Sequence, residues 1–272
     1  MNSHNILNSN NFALNEKKMK QRFNIIAHRG FSELSPENTF PAFDLALKSG
    51  FHNFEFDVQL TKDHIPVVIH DYDLYRTTGE IGLISEKTYK EIENLQAKNN
   101  FKLDEDNYSI PKLDDLLIKY KDISNLHLEL KSRDQELPEI VFDSLKKNGW
   151  IDLNKGVYEV GGITVSSFFV EQIIRFRKLN KVERTAWLLE KITTNDLEIC
   201  IDQNIDLICP RARFSDINSV NKAKEKNILV INWGVSDKND LITAYNSEST
   251  GTTLDWPLKG QDILKNYEDN EC

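Results

Sequence analysis

The chain has 272 residues, with 34 basic and 43 acidic side chains and a net charge of −9 at neutral pH. No basic block interrupts it, which argues against a nucleic-acid scaffold, whose affinity comes from Lys and Arg neutralising phosphates. No run approaches the ~20 apolar residues that span a bilayer, while 39% hydrophobic residues, with 14 Phe, 8 Tyr and 4 Trp, suffice for one large α/β core.

From the N-terminus, Met1–Lys20 is Asn-rich and polar and lacks the apolar stretch of a signal peptide. Residues 1–22 are therefore expected to be a disordered polar tail, with Met19 an alternative start, and residues 23–272 one barrel domain. Short β-rich runs then alternate with helical patterns. The strand candidates are Asn24–Ala27, Asn53–Gln59, Leu126–Lys131, Ile163–Phe168, Ala186–Leu189, Asp206–Cys209, Ile228–Asn232 and Thr252–Leu254. The first helix, Thr39–Ser49, has Pro41 in its first turn and stops at Gly50, a good C-terminal cap. Leu113–Tyr120, Leu137–Asn148, Val170–Leu179, Asn195–Gln203, Asp216–Lys226, Lys238–Tyr245 and Leu258–Tyr267 continue the alternation. Eight strands each followed by a helix predict a TIM (β/α)8 barrel; an open doubly wound sheet is the runner-up.

One apolar run, Pro66–His70, follows the second strand too closely to be parallel to it, because a parallel crossover needs a dozen residues or more. It must return antiparallel or leave the barrel. Residues 61–110 therefore read as a small insertion between the second strand and its helix, with Leu83–Asn107 polar and weakly helical.

Side chains two apart on a strand share a face. In Phe54-Glu55-Phe56-Asp57 the rings must face the outer helices, so Glu55 and Asp57 point into the barrel. On the third strand Leu126, Leu128 and Leu130 face out while His127, Glu129 and Lys131 face in. Three converging carboxylates require a compensating cation. An oxygen-only set suits one hard divalent ion, Ca2+ or Mg2+; an ion pair within the barrel core, such as Glu129 with Lys131, is the simpler alternative. His28-Arg29-Gly30 closes the first strand and His70-Asp71 closes the extra run. A His beside an Arg fits proton transfer next to an anion, and equally a structural turn. His127 lies deeper and reads as a buried core residue; His52 and His64 fall in turns. In Pro36-Glu37-Asn38-Thr39, Asn38 or Thr39 can cap the first helix, and Glu37 can hold a loop or approach the metal. Cys200, Cys209 and Cys272 lack metal-ligand spacing and read as reduced thiols of a cytoplasmic protein.

His28-Arg29-Gly30, Pro36-Glu37-Asn38-Thr39, Glu55-Phe56-Asp57-Val58, Thr61-Lys62-Asp63, His70-Asp71 and Arg76-Thr77-Thr78 together resemble the glycerophosphodiester phosphodiesterase family in order and spacing. Ile110-Pro111-Lys112-Leu113, Leu128-Glu129-Leu130-Lys131 and Ser167-Phe168 extend the likeness, which covers roughly residues 24 to 260. The resemblance implies a barrel with an insertion after its second strand and a metal-dependent hydrolase of lipid and glycerol metabolism. Glu55, Asp57 and Glu129 match the family's metal carboxylates, His28 and His70 its acid/base pair, and Arg29 and Lys131 its phosphate-facing cations. The partner would be a small glycerophosphodiester, with no nucleic acid and no stable membrane insertion; oligomeric state is left open. Two departures stand out. Asn232-Trp233-Gly234-Val235 replaces a Trp-Thr-Asn run, and Thr250–Pro257 is a reduced form of the closing segment. Trp233 is thus either a wall of the substrate pocket or a core ring. Lysophospholipase D action, a cyclising phospholipase-like lyase and an idle binding barrel are the other readings.

Overall fold

The computed structural model describes residues 23–98, 101 and 108–271. The expected tail (1–22), Cys272 and residues 99–100 and 102–107 of the insertion lie outside them. The chain runs β1 (Asn24–His28), α1 (Phe40–Lys48), β2 (Asn53–Leu60), β3 (Pro66–Val68), α2 (Tyr75–Thr78), α3 (Tyr89–Ile92), α4 (Leu113–Tyr120), β4 (Asn125–Leu130) and α5 (Leu137–Lys147). It continues through β5 (Ile163–Ser167), α6 (Val170–Leu179), β6 (Arg184–Leu189), α7 (Thr194–Asp202), β7 (Leu207–Pro210), α8 (Ile217–Glu225), β8 (Leu229–Asn232), α9 (Lys238–Asn246), β9 (Gly251–Leu254) and α10 (Pro257–Glu271).

Eight strands pair in parallel in the order β1-β9-β8-β7-β6-β5-β4-β2, and the β2–β1 pairing closes the ring. This is a (β/α)8 barrel, not an open sheet, and the bounds of every expected barrel strand and helix lie within four residues of those observed. β3 is the extra run. It pairs antiparallel to the end of β2, with Val58 opposite Val68 and Leu60 opposite Pro66, as the short connection requires. The segment from β3 to α4 carries its own small core of Val67, Ile69, Leu74, Ile84, Ile92, Ala97 and Ile110.

The alternation of β2 and β4 is realised as expected. Phe54 and Phe56 pack outward on Phe43 of α1, with ring centroids 4.9 and 6.1 Å away, and Leu126, Leu128 and Leu130 join the same core. Burying these five large side chains at ~1.5–3 kcal/mol each makes a register slip of either strand untenable, since it would turn these groups inward. The inward set of acids is thus fixed by the outward set of rings.

Candidate active site

Two strands, β2 and β4, supply the acidic cluster. In the β2–β4 ladder Asp57 lies opposite Glu129, and in the β1–β2 ladder Glu55 lies opposite His28. Glu55, Asp57 and Glu129 are all buried, and one carboxylate oxygen of each lies within 4.8 Å of the others, the one such group among the described residues. Lys131 Nζ is 2.9 Å from Glu129 and 3.2 Å from Asp57, and Arg29 Nε is 3.2 Å from the other oxygen of Asp57. The core ion pair weighed from sequence therefore exists, but it does not settle the charge. Asp57 is buried, yet Arg29 and Lys131 outweigh burial and hold it below the usual carboxylate range. Glu129 is pushed up to about 7 by burial and by Asp57. Glu55 is raised well above its ordinary value by burial, Asp57 and Glu129. Two of the three carboxyls thus remain under-compensated. A divalent cation among them would relieve that penalty, and the oxygen donor set fits a hard ion.

His28 and His70 line the same cavity as Glu55 and Glu129. His28 Nδ1 lies 2.6 Å from Asp255, at the end of β9, and its Nε2 lies 3.7 Å from Glu55. His70 Nδ1 lies 2.6 Å from Asp71. Partial burial opposes ionisation of both aspartates, but hydrogen bonds from His28 and Ser32 keep Asp255 at about 2, and those from Arg76 and His70 keep Asp71 at about 2. An ionised carboxylate only accepts, so each Nδ1 carries the proton and each Nε2 is left for the cavity. His70 is lowered from its ordinary value by burial, with Arg29 and Lys131 adding to it against Asp57, so it is neutral at pH 7.

Arg29 sits in a left-handed turn (φ 54) followed by Gly30 (φ 80). A Cβ on Gly30 would come within 2.7 Å of the Ala42 backbone, so only glycine lets this turn lie against α1. The turn aims the Arg29 amide at Glu55 (3.2 Å) and its guanidinium at Glu37 (2.8 Å) and Asp57.

The cavity, of about 200 Å³, continues under the opposite arc of strands, past Ser166, Leu188, Cys209, Ile231 and Trp233. Trp233 both lines this cavity and packs against the core around Ile26, Leu207 and Ile231. Its indole N–H donates to the Leu189 carbonyl at 2.9 Å, and Phe168 meets its face edge-on at 4.8 Å. His127 is buried, as expected, and burial pulls it to about 4.

A model of the glycerophosphoryl diester phosphodiesterase family matches residues 28–258. The chain belongs to this family. It is 36% identical over 155 residues to YhdW of Bacillus subtilis, covering 57% of this chain and 61% of that protein. It is 41% identical over 118 residues to a glycerophosphodiester phosphodiesterase of Bacillus altitudinis, covering 43% and 48%. The matched segments thus span about half to three fifths of these two relatives. A phosphodiesterase of Oleispira antarctica, solved in complex with the product sn-glycerol-3-phosphate, superposes with a TM-score of 0.76 at 25% identity, covering 89% of this chain and 96% of that one.

In this member of the family the structure adds residues that sequence reasoning did not assign. Asn38 is not a helix cap. Its φ is 58, and its side chain donates to Asp57 at 2.9 Å and accepts from the Asp57 amide at 3.3 Å. Thr39 occupies the N-cap position but turns its hydroxyl to the Pro36 carbonyl at 2.6 Å. Glu37 stays away from the acidic cluster and pairs with Arg29 and Arg76. Gln59 donates to the carbonyls of Ile69, His70 and Asp71 at 3.2, 2.9 and 2.6 Å, pinning the segment that carries His70. Gln59 was legible in principle: it is two residues beyond Asp57 on a strand, so it faces in. Asp255 was not, because its partner lies 227 residues away.

Proposed function

We propose that the protein hydrolyses a glycerophosphodiester to glycerol 3-phosphate and an alcohol. One observation carries this reading: two imidazoles, each with Nδ1 held by its own aspartate, share one cavity with Glu55 and Glu129 of the acidic cluster, Asp57 lying just behind them. That is the equipment for moving one proton in and another out around a phosphate. The product found in the Oleispira antarctica enzyme supports the same substrate class.

A divalent ion, Ca2+ or Mg2+, held by Glu55, Asp57 and Glu129 would supply charge neutralisation at the non-bridging phosphate oxygens. Arg29 and Lys131, on either side of Asp57, add two cations that line the cavity and face the phosphate. His70, neutral with an open Nε2, accepts a proton from the attacking oxygen. A phosphorus–oxygen bond forms there as the bond to the alcohol breaks, and His28, which in this role must enter the step as the imidazolium with a second proton on Nε2, delivers that proton to the departing alkoxide. The apolar arc at Leu188, Ile231 and Trp233 holds the carbon skeleton.

Lysophospholipids are the second substrate reading. Leu34, Phe168, Phe214 and Leu258, each shortly after a barrel strand in the chain, and Tyr72 in the insertion are exposed, and a single acyl chain would meet apolar side chains there. Among the described residues no helix is long and apolar enough to cross a membrane.

Phosphorus NMR of purified protein with glycerophosphocholine, glycerophosphoethanolamine and a lysophosphatidylcholine, in Ca2+, Mg2+ or EDTA, decides among these. Glycerol 3-phosphate released only with metal supports hydrolysis. A persistent cyclic phosphate would identify a lyase, and no product under any condition an idle barrel.

A further inference from the structure

The Arg-Thr-Thr run of the insertion has found no use in the chemistry so far. We infer that Arg76 is a positioning residue, one that keeps His70 of the insertion in register with Arg29 of the barrel without touching substrate itself. The inference rests on the diesterase reading only for its kinetic consequences.

The Arg76 guanidinium lies between two carboxylates. Its Nε and Nη2 donate to Asp71 at 2.5 and 3.0 Å, and its Nη1 and Nη2 donate to Glu37 at 2.6 and 2.8 Å. Each carboxylate then holds one group of the site, Asp71 the His70 imidazole at 2.6 Å and Glu37 the Arg29 guanidinium at 2.8 Å. The path His70–Asp71–Arg76–Glu37–Arg29–Asp57 is continuous at hydrogen-bond or ion-pair distance, and Arg76 is its centre. Two bonds to each of two carboxylates need a planar fork; the compact ammonium of lysine keeps the charge and loses the geometry. Both carboxylates are about one-fifth exposed, so water competes poorly for their oxygens.

The ordinary alternative is that Arg76 simply ties a surface helix down. The backbone argues otherwise, because the three carbonyls of residues 69–71 are already fixed by Gln59. Removing Arg76 leaves that segment in place and frees the Asp71 and Glu37 side chains to swing. His70 then loses its Nδ1 anchor, and Arg29 pivots toward Glu37 and away from the cavity.

Full-length wild type, Arg76→Lys, Arg76→Ala, Asp71→Asn and Asp71→Asn/Arg76→Lys proteins are compared on a soluble glycerophosphodiester. Arg76→Lys should lower kcat by roughly 10–100-fold, the usual effect of losing a partner that orients a site group, with thermal midpoint unchanged and KM moving less than kcat. Added guanidinium ion should restore part of the Arg76→Ala activity. On the Asp71→Asn background the Lys substitution should cost no more than about 3-fold, since the two residues act along one path. An Arg76→Lys protein with wild-type kcat, or one whose full loss recurs on the Asp71→Asn background, overturns the inference. A wild type that cleaves no diester refutes the function instead. His70 is then read directly by NMR: a slowly exchanging Nδ1 proton present in wild type and lost in Arg76→Lys upholds the inference, and one that persists in both refutes it.

Discussion

The barrel mouth divides into two arcs of opposite character. Strands β9, β1, β2 and β4 deliver Asp255, His28, Glu55, Asp57, Glu129 and Lys131, whereas β5 to β8 deliver Ser166, Leu188, Cys209, Ile231 and, just past their ends, Phe168 and Trp233. On the first arc hydrogen bonds and ion pairs tie the charged side chains to one another and leave the two imidazole Nε2 atoms open. On the second, the polar contacts are few and include an indole and a serine hydroxyl held to backbone carbonyls, beside an edge-to-face ring pair. The difference separates two tasks: charge is prearranged where phosphate would react, and apolar surface is offered where the substrate's carbon would rest.

The contrast predicts a hierarchy of effects. On the charged arc, His28→Ala, His70→Ala and Glu55→Ala should each lower kcat by about 10²–10⁴-fold while circular dichroism stays that of the folded protein; a folded variant with near wild-type turnover breaks the assignment. Because His70 is lowered from its ordinary value and is needed neutral, the acid limb of kcat/KM should lie below pH ~6.5, and a limb well above that would remove His70 as the base. Next comes the metal. Glu129 at about 7 and the raised Glu55 hold protons that a cation must displace. Binding should therefore tighten as pH rises toward 7 and release protons at pH 6, measured by calorimetry in two buffers of different ionisation enthalpy; pH-independent binding would place the cation elsewhere. Asp255→Asn should cost a further step less, about 10–100-fold in kcat, by loosening the His28 tautomer. On the apolar arc, Trp233→Ala should raise KM a few-fold and leave kcat nearly intact, because it removes contact area shared by ground and transition states. A kcat loss as large as that of His70→Ala would mean the two arcs are not separate.

How much of this could be read in advance follows the same division. The inward aim of Glu55, Asp57 and Glu129 was legible because a period-2 pattern with Phe and Leu on the other face allows only one register. β3 was legible as antiparallel because chain length forbids the alternative. Of the two residues offered as caps of the first helix, Thr39 takes the N-cap position, whereas Asn38, a good cap wherever nothing stronger competes, is drawn instead to the buried carboxylate of Asp57. The exposed Leu34, Tyr72, Phe214 and Leu258 were not singled out either, because they are scattered along the chain with no common period.

Local pattern and chain length thus determined the eight-strand count, the antiparallel return, and which side chains on β2 and β4 enter the barrel, all of which depend on neighbours a few residues apart. Closure of the ring decided the rest. It set β9 beside β1 and so brought Asp255 to His28, folded the insertion back so that Arg76 lies between Asp71 and Glu37, and carried Trp233 to Phe168. Those contacts join positions up to 227 residues apart, and no periodicity in a linear chain encodes a distance that only strand order and packing create.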